Sequence, residues 1–192
     1  MAATAPTAGP AELDELTLKR AQRGEAAACT ALVQCYQRPV FAVVSRILAP
    51  SGRRAAVEDV AQETFLRVFR ALPSWDARGG AKLSTWILTI ATRAALNELR
   101  RRPPGPSLFP DDAALATAPA PVELRSLGHA IERAVAALSP EFRAAFVLRE
   151  FHELSYEEIA RALDVDVGTV KSRLSRARTA LQAALAEVHH GE

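Results

Sequence analysis

The stretch from Thr169 to Gln182, TVKSRLSRARTALQ, holds the residues whose types and spacing point most directly to a chemistry. Wound at about 100° per residue, Val170, Leu174, Ala177 and Leu181 fall within roughly 60° of one another. Lys171, Ser172, Ser175 and Arg176 fall on an arc of about 140° on the opposite side. Arg173 and Arg178 lie on the two flanks, Thr169 stands at the start, and no acid interrupts the run. Long cationic side chains on one helical face can pair with phosphates, and Lys, Arg or Ser can reach base edges in a major groove. The competing reading is a solvated basic face on an ordinary helical hairpin.

The preceding residues are suited to position that helix. Ser155-Tyr156-Glu157-Glu158 has the S-x-x-E form of a capping box, and Ile159, Ala160 and Leu163 give the helix it starts one apolar face. Asp164-Val165-Asp166 interrupts the pattern. Asp166 is placed to cap the basic helix, with its carboxylate towards the amides near Gly168 and Thr169. A short helix, a tight turn and a basic second helix resemble a helix-turn-helix.

Composition agrees with helices. The chain has 192 residues, enough for one or two domains, and is 49% hydrophobic but only 6% aromatic, with Ala and Leu abundant. The net charge of +2 does not by itself announce a nucleic-acid partner, but the basic residues are clustered. The two cysteines, Cys29 and Cys35, would not share a helical face, so free thiols in a reducing cytosol are expected rather than a disulfide or metal pair. The N-terminus lacks the pattern of a signal peptide, and the apolar runs are too short to span a bilayer. A cytoplasmic protein without membrane insertion is the expectation.

In chain order, residues 1–11 read as a disordered tail. Leu13 to Arg23 reads as a short helix ended by Gly24, and Glu25 to Gln37 as a second helix. Pro39 is expected to break or kink it before Val40 to Leu48, whose core candidates are Val40, Phe41, Val44, Ile47 and Leu48. In AAVEDVAQETFLRVFRAL, residues 55–72, Val57, Val60, Ala61, Phe65, Val68, Phe69 and Leu72 form the apolar stripe. Asp59, Gln62, Glu63 and Arg67 face away from it with Glu58. That face serves either as good dipole electrostatics or as a docking surface for a basic partner, and spacing leaves both open.

A loop, PSWDARGGAKL, bends at Gly79-Gly80, and Ser84 is placed to cap a long helix to about Arg102. Trp86, Ile87, Ile90, Ala94 and Leu99 are its core candidates. Lys82, Thr85, Arg93 and Asn97 could handle DNA, while Arg100 and Arg101 also suit the helix dipole. PPGPSLFPDDAALATAPAP cannot continue a helix and reads as a linker. Helices follow over Leu124 to Leu138 and from Ser139-Pro140, where Phe142, Ala145, Phe146, Leu148 and Phe151 supply apolar contacts. There is no glycine-rich phosphate loop, no H-E-x-x-H, no Cys/His metal framework and no recognisable catalytic constellation. No catalytic residue, metal site or cofactor is therefore expected.

Two blocks in this order, DVAQETFLRVFRAL with STWILTIATRAALNELRRR, and LSPEFRAAFVLREFHELSYEEIARALDVDVGTVKSRLSRARTAL, resemble a bacterial sigma factor of the sigma-70 family, extracytoplasmic function group. The resemblance runs from about Leu16 to Leu185. It implies an all-α fold of two small helical domains joined by a Pro/Ala-rich linker: sigma domain 2 over 12–102, the linker over 103–123, sigma domain 4 over 124–187 and a tail over 188–192. It implies that Asp59, Gln62, Glu63 and Arg67 dock bacterial core RNA polymerase. Lys82, Ser84, Thr85, Trp86, Arg93, Asn97, Arg100 and Arg101 would serve the −10 element of promoter DNA, where holding a base out of the stack costs a few kcal/mol that a pocket must offset. The neighbours of Trp86 favour core packing over a wedge in the DNA. Thr169, Lys171, Ser172, Arg173, Ser175 and Arg176 would read the −35 element.

Two positions depart from the family pattern. Arg93 stands where many members have Asn, and Glu153, preceded by His152, stands where Gly is usual. Neither a cysteine-rich sensor nor an extra C-terminal domain is expected, and regulation is expected from a partner anti-sigma factor. The alternatives are a helix-turn-helix regulator that never joins polymerase, and a helical adaptor protein.

Overall fold

A computed structural model describes residues 12–76, 81–101 and 122–190. The expected tail over 1–11, the bend at Gly79-Gly80 and the linker up to residue 121 lie outside the described residues. The fold is all-α, in the order α1 (Glu15–Gln22), α2 (Ala26–Leu48), α3 (Val57–Ala71), α4 (Leu83–Arg101), α5 (Val122–Ala137), α6 (Pro140–Glu150), α7 (Tyr156–Leu163) and α8 (Val167–His190). Single 3-10 turns follow α2, precede α3 and follow α3. Among the described residues there is no strand, and no helix is long and apolar enough to cross a membrane.

Local signals set most helix ends. Asp14 caps α1 by accepting from the Thr17 amide at 2.9 Å, and Gly24 ends it at φ +80°, which glycine adopts without a Cβ penalty. The α7 capping box is complete: the Glu158 amide donates to the Ser155 hydroxyl at 3.2 Å, and the Ser155 amide donates to Glu158 at 2.8 Å. Pro140 opens α6, although the Ser139 side chain makes no capping bond. The long helix begins at Leu83, which moves Ser84 from the expected cap into its first turn.

Pro39 does not break α2, contrary to expectation. An internal proline costs about 3 kcal/mol, whereas burying one large apolar side chain gains about 1.5–3. Leu32, Tyr36, Val40, Val43, Val44, Ile47 and Leu48 are all at most 1% exposed, so burial on both sides of Pro39 outweighs the lost hydrogen bond. Phe41, expected in the core, is 39% exposed. Phe151, also 39% exposed, packs against Phe146 edge-on and lies beneath the Arg46 guanidinium, 4.2 Å from its ring centroid.

α4 is the central element. It packs against α2 and α3 on one side and against α7 and α6 on the other. That explains why Leu83, Ser84, Thr85, Leu88, Ala91, Thr92, Ala95 and Leu96 are buried beyond the expected stripe. One apolar core runs without a break from Ala21 to Leu181. Arg143 of α6, which no periodicity singled out, is 3% exposed within it. The guanidinium donates to the carbonyls of Val135, Ala136 and Leu138 at the end of α5 and its following turn. It also reaches the Ile47 carbonyl of α2 at 2.9 Å and the Ser51 hydroxyl at 3.2 Å.

Two chain reversals carry strain. Glu153 and Asp164 both sit at φ 56°, the left-handed region that side chains disfavour. Asp164 closes α7 while the Val165 amide turns back to the Ala160 carbonyl. Glu153 lets the chain leave α6 and enter α7, with its amide on the Arg149 carbonyl. We expect Glu153→Gly to stabilise the fold by about 0.5–1 kcal/mol in urea unfolding, since relief of the left-handed penalty exceeds glycine's added chain entropy.

The neighbouring His152 is buried, and among the described residues its Nε2 has no hydrogen-bond partner. Burial first, and the Arg46 charge second, push its pKa down to about 4. The folded state therefore holds it neutral: this contribution is complete above the unfolded pKa near 6.5 and is lost as pH falls through about 4. Between about pH 7 and pH 5 it should remove about 2 kcal/mol of stability, and His152→Leu should flatten that part of the pH profile.

Candidate nucleic-acid interface

α7, the turn Asp164–Asp166 and α8 form a helix-turn-helix held by Ile159, Ala160, Ala162, Val170, Leu174, Ala177 and Leu181, all buried. Asp166 starts α8 as expected, accepting from the Thr169 amide at 2.7 Å and the Thr169 hydroxyl at 2.6 Å. These bonds hold its carboxyl below the usual carboxylate range. Gly168 leaves the space this requires, since a Cβ there would come within 2.9 Å of the Asp166 carboxylate. Thr169 thus uses its hydroxyl in the cap.

Lys171, Ser172, Ser175 and Arg176 are exposed on one face, and Arg173 is half-buried beside them. Among the described residues none of Lys171, Arg173 and Arg176 has a carboxylate partner. Arg178, on the flank, is different: it pairs with Glu150 at 2.9 Å and so braces α8 against α6. An exposed helical face with unneutralised cations and short hydroxyls is shaped to enter a groove lined by phosphates.

The residues expected around the second DNA site are not brought onto one open face. Lys82, Asn97, Arg100 and Arg101 are exposed, and Asn97 accepts from Arg100 at 3.3 Å. Ser84 and Thr85 are buried. Ser84 donates to Glu12, which also accepts from the Tyr36 hydroxyl, and Thr85 donates to Glu158 of α7 at 2.9 Å. Trp86 is half-buried against Trp75, with ring centroids 6.1 Å apart, in line with the packing its neighbours favoured. Arg93 donates to the carbonyls of Ala162 at 2.9 Å and Arg161 at 2.5 Å.

On α3, Asp59, Gln62 and Arg67 are exposed and Glu63 is half-exposed, with Arg67 closing a 2.6 Å ion pair to Glu63. Sequence periodicity missed two features here. Leu66, beside them, is 56% exposed, and Thr64 is fully buried because its hydroxyl donates to the Val60 carbonyl at 2.8 Å. A cleft of about 350 Å³ between α3 and α4 joins Glu63 and Arg67 to Asn97, Arg100 and Arg101. Cys29 and Cys35 form no disulfide, and no group of three or more His, Cys, Asp or Glu among the described residues could hold a metal.

Comparisons with known proteins agree on the ancestry of these elements. The Sigma-70 region 2 family matches residues 32–103, and the Sigma-70, region 4 family matches residues 128–181. The chain is 39% identical over 181 residues to the ECF RNA polymerase sigma-E factor of Escherichia coli (strain K12), covering 88% of this chain and 92% of that one. It is 34% identical over 187 residues to the RNA polymerase sigma-H factor of Pseudomonas aeruginosa, covering 91% and 94%. The fold is similar to that of the sigma factor RpoE from Bartonella quintana, solved in complex with the anti-sigma factor NepR, at a TM-score of 0.64 and 25% identity over 82% of this chain and 96% of that one. With region 2 ending in α4 and region 4 ending in the helix-turn-helix, the chain belongs to the extracytoplasmic function group of the sigma-70 family, the non-enzymatic initiation factors that direct RNA polymerase to promoters.

Proposed function

We propose that this sigma factor reads the −35 element through Lys171, Ser172, Arg173, Ser175 and Arg176, with Thr169 fixing the start of the recognition helix. The observation that carries this assignment is the exposed, unpaired basic face of α8, presented on a capped helix and free of acids. Arg178 is left out because its ion pair with Glu150 is a brace. In the −10 region, Lys82, Asn97, Arg100 and Arg101 are the phosphate and base contacts supported by exposure. Ser84, Thr85, Trp86 and Arg93 join them only after their present partners are exchanged.

Polymerase docks on the α3 face of Asp59, Gln62, Glu63 and Arg67. Acids at the start of a helix beside the exposed Leu66 suit a partner that offers cations around an apolar contact. The functional halves are 12–102 and 124–187. The protein works in the cytoplasm, where core polymerase and promoter DNA are, and an anti-sigma factor restrains it. The Bartonella quintana relative, crystallised with its anti-sigma factor, supports that last assignment.

The test of the initiation role is transcription by sigma-free bacterial core polymerase on a pool of genomic fragments, with and without the protein. New start sites sharing two spaced upstream motifs are expected. Site-specific DNA binding by the protein alone, with no new transcripts, would instead favour a regulator that acts without polymerase. The Asp59→Lys, Glu63→Lys double variant should compete poorly for core polymerase while keeping its helical content; competition equal to the parent moves the docking face elsewhere. Arg176→Ala should weaken −35 recognition by about 1–3 kcal/mol and relax selectivity at one base position. Unchanged occupancy and selectivity would remove Arg176 from the readout.

A further inference from the structure

The connection from α3 to α4 leads into the first residues assigned to the −10 element. The structure describes it on both sides, over residues 72–76 and from residue 81 onwards. Both sides are tied to the same short helix. Gln22, the last residue of α1, is half-buried and directs its side-chain amide at the entry side. Its Nε2 donates to the Leu72 carbonyl at 3.1 Å and to the Trp75 carbonyl at 2.8 Å. Two amide hydrogens thus meet two carbonyls just past α3, where helical amides have run out. Glu12, ahead of α1, holds the exit side. One of its carboxylate oxygens accepts from the buried Ser84 hydroxyl, and the other accepts from the buried Tyr36 hydroxyl of α2 at 3.4 Å.

Between these contacts α1 is firmly seated. Its eight residues span about 12 Å. Ala21 is buried, Leu13 and Leu18 pack on the core, and the Leu13 amide donates to the Tyr36 hydroxyl at 3.1 Å. Arg20 pairs with Glu25 at 2.6 Å across the turn at Gly24. On the exit side the Trp86 amide donates to the Lys82 carbonyl at 3.0 Å. The exposed Lys82 therefore starts from the same helical turn that Glu12 holds through Ser84.

We propose that α1 is a positioning element for −10 recognition, with Gln22 and Glu12 holding the two ends of the α3–α4 connection at a set separation. The proposal rests on the assignment of Lys82 and the start of α4 to the −10 element. Neither Gln22 nor Glu12 touches DNA in this arrangement, and neither lies on the α3 face assigned to polymerase or on α8. They act by removing freedom that the reading surface would otherwise lose when it captures a base. Such ordering costs subtract from affinity, so ends fixed in advance leave more of the contact energy for discrimination.

Trp75 and Trp86 are the only two tryptophans of the chain, so intrinsic fluorescence reads both ends without a label. Gln22→Met keeps the length of the side chain but donates nothing. In the free full chain it should red-shift the emission and raise acrylamide quenching, with helical content unchanged. Gln22→Lys, which restores a donor of similar reach, should bring both back towards the parent. Unchanged emission and quenching in Gln22→Met, or equal effects in the two variants, overturns the tie.

Function is read with core polymerase added, on a promoter returned by the transcription assay and on copies with single-base changes in either upstream motif. Gln22→Met should lose about five- to tenfold of the parent's discrimination at the downstream motif, the scale of one or two hydrogen bonds. Discrimination at the upstream motif and competition for core polymerase should match the parent. Glu12→Ala should lower the same downstream discrimination. The double variant should lose less than the product of the two single losses, because one spacer serves both ends. Downstream discrimination equal to the parent, a parallel loss at both motifs, or a double variant that loses the full product overturns the proposal and leaves the −10 assignment standing. A parent indifferent to the downstream motif removes that assignment and the proposal with it.

Discussion

A single buried cation sets the frame of this molecule. The guanidinium of Arg143 has five N–H donors, and the structure gives it four carbonyls and one hydroxyl, with no carboxylate among the described residues bonded to it. Taking such a charge out of water costs several kcal/mol, and each bond it makes to a neutral acceptor returns about 1.5–3. Only a nearly complete set of acceptors closes that balance. The acceptors come from the end of α5, the end of α2 and the turn after α2, so this one group ties the two halves of the chain together. Burial pushes the Arg143 pKa down to about 10, which leaves the charge in place at neutral pH.

Arg93 repeats the same physics nearer the surface. Each arginine satisfies carbonyls at a helix C-terminus, where the backbone has acceptors to spare and the dipole favours a cation. The difference is depth. Arg143 is sealed in the core, whereas Arg93 is exposed and open to exchange. A fold can therefore hold an arginine on internal carbonyls close to the surface, where the contacts remain exchangeable. On α8, by contrast, Lys171, Arg173 and Arg176 have no carboxylate partner among the described residues, and only the flanking Arg178 is held, by Glu150.

Much of the region 4 architecture was legible in the residues. The capping box at Ser155, the Asp166 cap and the apolar set Val170, Leu174, Ala177 and Leu181 are local or periodic, and the structure realises them at the expected positions. The stripe from Val57 to Leu72 was equally readable. Phe41 was misread because helical phase gives a direction but not what stands in that direction. The burial of Ser84, Thr85 and Thr92 was invisible for the same reason: α4 is covered on two sides, and only one side leaves a period in its own sequence.

The sequence by itself determined most of the helices, the caps at Ser155 and Asp166, and the basic face of α8, because these depend on residues three or four apart. Tertiary structure alone decided that α2 runs through Pro39, that Arg143 is buried, and that Arg93 and Thr85 serve α7 rather than solvent. Arg93 thereby reaches Ala162, 69 residues away, and Arg143 reaches Ile47, 96 residues away. No local pattern encodes such a meeting. It follows from the packing of α4 between two halves and from the requirement that a buried or half-buried cation find carbonyl oxygens wherever the fold supplies them.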